Sequence, residues 1–166
     1  GLQPKSMTSV APLVRTRWNQ TYPYNSFCPE DITVSPSYNG HTPTGCMATA
    51  MAQIMNYWEH PIRGSESHSY TPREHPEYGE QYADFGSTVY DWDNMKNSYS
   101  DGYTEDEANA VATLLYHCGV SINMNYTPTG SSGGYESACQ SFMTYFNYNP
   151  DMNAITKSYI IDGIDY

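Results

Sequence analysis

The feature that most constrains this chain is a cysteine placed at the predicted start of an apolar helix. Small and apolar residues follow Cys46 with the spacing of one helix face: Ala48, Met51, Ala52, Met55 and Trp58. Pro61 predicts that this helix ends at about Trp58, because proline disfavours the helical conformation in the residue before it. The pattern therefore predicts a buried helix over about 46–58.

The same position makes Cys46 a candidate nucleophile. A helix N-terminus offers unpaired backbone N–H groups and a partial positive charge, and both stabilise a thiolate. The thiolate is the reactive form of cysteine, and Gly45 allows a sharp turn and a close approach of substrate. The alternative is a structural cysteine that begins a core helix, since free cysteines are often buried. The helix alone leaves both interpretations open.

Composition and charge narrow the classes of function. The 166 residues fit one domain, and seventeen tyrosines against four phenylalanines are typical of extracellular proteins. Seven basic against eighteen acidic residues give a net charge of −11, which argues against nucleic acid or an anionic membrane as a partner. The apolar runs are too short to span a bilayer. Residues 1–9 lack the apolar centre of a signal peptide, and we interpret them as a lead-in from a propeptide or from cloning.

Metal-ligating residues show no recognisable spacing. The four cysteines can form two disulfides in three pairings: Cys28, Cys46, Cys118 and Cys139. Cys118 and Cys139 lie on predicted amphipathic helices and are expected to face the core. The five histidines have no ligand spacing with the cysteines: His41, His60, His68, His75 and His117. Neither a metal site nor another cofactor is therefore predicted.

The middle of the chain combines a polar segment with a helix that has clear start and stop signals. Residues 61–103 are rich in Tyr, Ser, Glu and Pro, which predicts an extended surface segment with short strands, anchored by Tyr90 and Trp92. Thr104 and Glu107 form a predicted capping box at the start of a second helix. Gly119 is the predicted C-cap of that helix.

The last third of the chain alternates strands, a loop and a helix. Clean alternation predicts a strand over Val120–Met124, and a loop follows over 127–134. An apolar stripe that includes Tyr135 and Phe146 predicts a third helix over about 135–146. The chain closes with a predicted buried strand that runs into a turn over Tyr159–Tyr166.

Gln20 is the second candidate residue for a catalytic site. Acyl transfer by cysteine needs donors for the oxyanion, of which the Cys46 N–H can supply one and a side-chain amide usually supplies another. Gln20 lies upstream of Cys46 on a loop flanked by aromatic residues. An isolated glutamine there would be interpreted as a solvated amide, but together with Cys46 it is a candidate oxyanion donor.

Several motifs occur in an order that covers nearly the whole chain: Trp18-Asn19-Gln20, Pro23-Tyr24-Asn25, Phe27-Cys28-Pro29, Thr44–Met55, Tyr90-Asp91-Trp92, Gly119–Tyr126, Gly130–Gly134 and Ile161-Asp162-Gly163. Taken together they resemble the streptopain family of secreted bacterial cysteine peptidases. Within this set of motifs, the segment Phe27-Cys28-Pro29 is similar to the Bacteroides and Prevotella branch of that family.

The resemblance implies an α+β, papain-like fold and a cysteine endopeptidase that is made as a zymogen and exported. It would be secreted or at the cell surface, hydrolysing protein or peptide substrates through an acyl-enzyme without a cofactor. By the same resemblance Cys46 is the nucleophile and Gln20 the oxyanion-hole side chain. Six residues would bind substrate, near a pocket for a hydrophobic P2 side chain: Gly45, Gly130, Ser131, Ser132, Gly133 and Gly134.

The chain departs from the family at the catalytic histidine. Where the family has Gly-His before its terminal strand, this sequence has Thr156 and Lys157, followed by Ser158. In papain-type enzymes the histidine follows the cysteine by roughly 130–150 residues, which from Cys46 falls beyond Tyr166. We therefore expect a peptidase domain over 10–166 with its helical half represented and its β-sheet half incomplete. It would lack family segments between about 153 and 159 and after 166.

Three explanations for the missing base remain open at this point. The chain can be an incomplete form of an active peptidase, which the intact nucleophile and oxyanion side chain favour. It can be one piece of a cleaved enzyme, with its propeptide or a complementary chain as a partner and the histidine on that chain. It can also be a non-catalytic homologue that binds peptides or surfaces. Lys157 is a poor substitute, since a lysine amine is protonated at neutral pH.

Overall fold

The computed structural model describes residues 11–152 and the backbone of two short strands near the end of the chain. The helices are α1 (Cys46–Trp58), α2 (Glu105–Ser121) and α3 (Tyr135–Thr144). The strands are β1 (Ser67–Tyr70), β2 (Gln81–Asp84), β3 (Ile160–Ile161) and β4 (Ile164–Asp165), which pair antiparallel as β1 with β2 and β3 with β4. The α+β class predicted from the sequence is confirmed.

Helix α1 has the predicted bounds and buries the predicted face, with one exception. Ala48, Met51, Ala52 and Met55 are all buried. Trp58 is 65% exposed, so its assignment to the core was wrong. It is the last residue of the helix, where the chain turns away at Glu59 (φ 47°) and the aromatic ring packs edge-on against Tyr57 instead.

Helix α2 begins as predicted and ends later than predicted. The Thr104 hydroxyl accepts from the Glu107 N–H, and the Glu107 carboxylate accepts from the Thr104 N–H, so the capping box is present. Gly119 is not the C-cap but an interior residue of α2. The Tyr126 hydroxyl lies where a side chain at position 119 would stand, so glycine serves close packing there.

The strand predicted over Val120–Met124 is also wrong, because α2 continues to Ser121. Asn123 adopts the left-handed conformation (φ 52°), and the Met124 N–H donates to the Gly119 carbonyl at 3.0 Å. This pattern is a Schellman-type helix end with asparagine as the left-handed residue. It directs the buried Met124 side chain under the start of α1.

The polar segment over 61–103 contains the short strands that were predicted, as the β1–β2 hairpin. Tyr90 and Trp92 anchor it as expected, since Tyr90 is buried and the Trp92 indole N–H donates to the Pro61 carbonyl at 3.1 Å. The segment is less superficial than expected. Phe85 and Tyr99 are also buried, and α2 contacts both strands of the hairpin.

Helix α3 lies within its predicted range. Ala138 and Phe142 are buried on it, and Phe146 is buried just beyond its end. Tyr135 was predicted on the buried stripe but is 50% exposed, because it stands in the first turn of the helix. The predicted terminal strand over 159–166 is represented by β3 and β4, and its remaining residues lie outside the described part of the chain.

The three helices pack around one core, and α2 contacts both α1 and α3. The largest fully buried side chains are Tyr126, Phe85, Phe146, Met51, Met55, Leu114, Leu115 and Met124. None of the helices in the described residues is long and apolar enough to cross a bilayer. Helix α1 thus has one face in this core and its N-terminus at the surface, where Cys46 lies.

Candidate active site

Cys46 is the first residue of α1 and its side chain is exposed. Gly45 is the N-cap residue, and no side chain caps the first turn of the helix. Backbone N–H groups and the positive end of the helix dipole therefore face the region of the thiol. The structural alternative, a buried cysteine, does not describe Cys46.

Gly45 occupies a position that only glycine fits. Its φ is +89°, a conformation that residues with a side chain rarely adopt. A Cβ atom there would lie 2.5 Å from the Met124 methyl carbon, 2.6 Å from the Met124 sulfur and 3.2 Å from the Ser131 carbonyl oxygen. The end of α2 and the loop after it thus press directly against the residue that precedes Cys46.

Gln20 is held beside α1 by backbone and neighbouring side chains. Its carbonyl accepts from the Thr44 N–H at 3.4 Å. The Asn19 side chain accepts from the Thr21 N–H and hydroxyl at 2.8 and 2.7 Å, which closes a tight turn around Gln20. On the other side, the buried Trp18 donates its indole N–H to the Lys96 carbonyl at 2.7 Å.

Cys46 and Gln20 line one cleft with a volume of about 450 Å³. The other residues that line it are Trp18, Asn19, Thr21, Tyr38, Thr49, Ala50 and Gln53. The cleft contains amide, hydroxyl and aromatic groups and no charged side chain. The structure therefore places in one cleft the two residues that were paired from the sequence as nucleophile and oxyanion donor.

The Gly130–Gly134 loop lies next to Gly45 but does not line the cleft with Gln20. The Ser131 hydroxyl donates to the Pro43 carbonyl at 2.6 Å, and Ser132 pairs with Asn125 through backbone hydrogen bonds. Ser131 was predicted to bind substrate, but its buried side chain already has a partner. The backbone of the loop and the exposed residues Gly130, Ser132 and Gly134 remain available at the surface.

None of the five histidines, all of which lie in the described part of the chain, lines this cleft. His41 hydrogen bonds to the Cys28 carbonyl at 2.8 Å through Nδ1, and His117 is buried against Tyr90. The other three make surface contacts: His60 with the Asn147 carbonyl, His68 with Asn123 and His75 with Glu77. Each of the five histidines therefore has a hydrogen-bond partner away from the cleft that Cys46 and Gln20 line.

The thiols differ in accessibility. All four cysteines are free, and Cys28 and Cys118 are buried while Cys139 is half-buried. Burial raises the pKa of the Cys28 thiol to about 12, and burial raises the pKa of the Cys118 thiol as well. Neither buried cysteine forms a thiolate at neutral pH. No group of three potential metal ligands comes together among the described residues.

Two structural residues of the site were missed in the sequence. Asn25 is buried and its amide donates to the carbonyls of Tyr38, His41 and Thr42, which shapes the loop leading to Cys46. Thr49 lines the cleft one turn after Cys46, and the i, i+3 spacing on a helix was the available signal for it.

The fold and the cleft together define a papain-like cysteine peptidase scaffold. Residues 18–163 match the model of the Peptidase C10 family, and the chain belongs to this family. Both the resemblance to the streptopain family and the papain-like fold expected from it are thereby confirmed.

Named relatives agree with this assignment. Streptopain from Streptococcus pyogenes is 32% identical over 149 residues, which are 85% of this chain and 37% of streptopain. The structure of active wild-type interpain A cysteine protease from Prevotella intermedia is similar with a TM-score of 0.76 and 44% identity, over 83% of this chain and 55% of that one. The structure of a prointerpain A fragment from the same organism is similar with a TM-score of 0.75 and 44% identity, over 82% of this chain and 43% of that one. The chain thus spans about a third to a half of the length of these relatives.

Proposed function

We propose that the protein is a secreted cysteine endopeptidase with Cys46 as its nucleophile. The thiolate attacks a peptide carbonyl, an S–C bond forms as the C–N bond breaks, and the amine leaves with a proton from the catalytic base. Water then hydrolyses the acyl-enzyme. The observation that carries the proposal is the exposed Cys46, at an uncapped helix N-terminus, in one cleft with Gln20.

The oxyanion of the tetrahedral intermediate lies between the Cys46 N–H and the Gln20 side-chain amide. Both donors come from segments whose backbone is hydrogen bonded: Cys46 begins α1, and the Gln20 carbonyl accepts from the Thr44 N–H. Donors that are fixed before the reaction stabilise developing charge without reorganisation. Removal of one such donor typically lowers kcat by about 10²–10³-fold.

The general base is a histidine from outside residues 11–152, on a further part of the same protein or on a complementary chain. The exposed side of α1 supports this assignment, because it continues from Cys46 through Ala50 to the exposed apolar side chains of Ile54 and Tyr57. The relatives are longer than this chain and are similar to it over most of its length. We infer that the element carrying this histidine covers the exposed apolar side of α1 and brings the histidine to the cleft.

Substrate binds between the cleft and the Gly130–Gly134 loop. The loop reaches Gly45 through the Ser131 carbonyl, so its backbone stands close to the scissile bond. We assign it to the wall of a pocket for a hydrophobic P2 side chain. The likeness to a pro-form supports synthesis as a zymogen whose propeptide is an intramolecular partner.

The test compares cysteine and amide variants of the complete gene product on casein. Cys46→Ala should abolish hydrolysis, and Cys139→Ala, at the half-buried cysteine, should leave it unchanged. Gln20→Ala should lower kcat, whereas Gln140→Ala on the exposed side of α3 should not. Undiminished hydrolysis by Cys46→Ala, or labelling of Cys28 instead of Cys46 by an epoxide inhibitor, would contradict the proposal.

The second candidate is a non-catalytic module that binds peptides or surfaces on the same scaffold. The observation that favours it is the absence of any described histidine from the cleft. Such a module would bind casein-derived peptides equally well as Cys46→Ala and as the parent protein, and neither would hydrolyse them. A reading frame with a histidine codon beyond Tyr166 in the family position would favour the peptidase.

A further inference from the structure

Two buried threonine hydroxyls lie beneath the start of α1. The Thr49 hydroxyl donates to the Gly45 carbonyl at 3.0 Å, and the Thr44 and Thr49 hydroxyl oxygens are 3.0 Å apart. Thr49 gives its only hydroxyl proton to Gly45, so Thr44 donates to Thr49. Thr44 and Thr49 are 0% and 7% exposed. The hydrogen bonds therefore run in one direction, from Thr44 through Thr49 to Gly45.

The Gly45 carbonyl is rigidly linked to the backbone donor of Cys46. Both belong to one planar trans peptide unit, in which the C=O and the N–H point in opposite directions. The Thr49 N–H also donates to this carbonyl at 3.1 Å. Glycine has no side chain to restrict rotation of the peptide plane, so these two donors from Thr49 set the direction of the Cys46 N–H.

We propose that Thr49, supported by Thr44, is a positioning residue that aims the Cys46 N–H at the oxyanion. The inference rests on the function proposed above and adds a residue to it. Thr44 extends the network to the second donor, because its backbone N–H donates to the Gln20 carbonyl at 3.4 Å. One buried pair of hydroxyls thus connects the two segments that supply the oxyanion donors.

A hydroxyl bonded to the carbonyl four residues earlier is common in helices, and α2 supplies a matched case. The Thr113 hydroxyl donates to the Asn109 carbonyl at 2.7 Å. At Thr113 the acceptor is in the helix interior and the hydroxyl takes no second threonine partner. At Thr49 the acceptor is the residue before the nucleophile. Thr113 is therefore the control for the loss of such a bond without an effect on the cleft.

The experiment uses Thr49→Val, Thr49→Ser and Thr113→Val in the complete gene product. It measures kcat and KM, inhibition by a peptide aldehyde whose adduct oxygen takes the oxyanion position, and alkylation of Cys46 by iodoacetamide, which needs no oxyanion donor. For Thr49→Val we expect kcat and aldehyde affinity to fall together by about tenfold or more. KM and the alkylation rate should change by less than about twofold. Thr49→Ser should restore the parent values, and Thr113→Val should match the parent.

Unchanged aldehyde affinity in Thr49→Val, or an alkylation rate that falls as much as kcat, would overturn the assignment. If Thr49→Val lacks a cooperative unfolding transition, Thr44→Val decides by the same readouts: lost aldehyde affinity with normal alkylation supports the network, and parent-like affinity rejects it. Failure of the proposed function looks different, because either the parent protein would then not hydrolyse casein at all or Cys46→Ala would remain active.

Discussion

Acidification should weaken the attachment of α2 to the segment around Tyr90, because His117 is buried there in its neutral form. His117 is 8% exposed, its Nδ1 lies 3.0 Å from the Tyr90 hydroxyl, and its ring packs edge-on against Phe85. Burial lowers the pKa of His117 from 6.5 to about 4, while the charge of Asp84 acts weakly in the opposite direction. Burial also raises the pKa of Tyr90, so its hydroxyl stays protonated and donates to Nδ1.

The sign of the effect follows from the two states. The pKa of His117 is lower in the folded than in the unfolded protein, so the unfolded protein binds the proton first as the pH falls. The stabilisation is complete above about pH 6.5 and is lost as the pH falls towards 4. With a pKa of 6.5 in the unfolded and about 4 in the folded protein, proton linkage lowers the unfolding free energy, relative to neutral pH, by about 2 kcal/mol at pH 5 and about 3 kcal/mol at pH 4.

Urea unfolding followed by tryptophan fluorescence between pH 7.5 and pH 5 measures this loss. Asp31 and Asp84 stay ionised in the upper part of this window, because hydrogen bonds from Thr33 and Ser87 hold their pKa values below the ordinary value. His117→Asn places an oxygen near the Nδ1 position and removes the titration, so its stability should be lower at pH 7.5 but nearly constant to pH 5. Parallel pH profiles for the parent and His117→Asn would refute the reasoning.

Two further substitutions and one thiol-reactivity measurement test other parts of the structure. Gly45→Ala should destabilise the protein by about 2 kcal/mol more than Gly40→Ala in urea unfolding, because both glycines have positive φ but only at Gly45 would the added Cβ clash, with the Met124 side chain and the Ser131 carbonyl. Thr104→Ala should lower the unfolding free energy by about 1 kcal/mol through loss of the capping box, with unchanged peptidase activity. Cys28 and Cys118 should react with a disulfide reagent only after denaturation, and fast modification of either in the native protein would contradict their burial.

Elements with local signals were predictable from the sequence. Helix α1 begins after a glycine and ends shortly before Pro61, and α2 begins at a capping box that needs only four consecutive residues. The end of α2 was not predictable in this way. Glycine is a common signal for the end of a helix, and Gly119 was interpreted in that way. In the structure its small size instead makes room for the Tyr126 hydroxyl, which is a tertiary contact that the local sequence does not reveal.

The candidate site shows the same division. The pairing of Cys46 with Gln20 came from the order of motifs, and the structure places both in one cleft. The inward orientation of Ser131 could not be foreseen, because its partner Pro43 is distant in the sequence. The role we assign to Thr49 likewise depends on Thr44 being folded back beneath it, which no periodicity reveals.

The supports of the cleft come from distant parts of the chain, and this affects when the site can form. The Trp18 indole reaches Lys96 across 78 residues, and the Ser131 hydroxyl reaches Pro43 across 88. Neither contact can form before Lys96 and Ser131 have been synthesised, and each must also offset the entropy of closing a long loop. During synthesis the Cys46 thiol is therefore present long before Lys96 and Ser131, whose contacts complete the supports of its cleft.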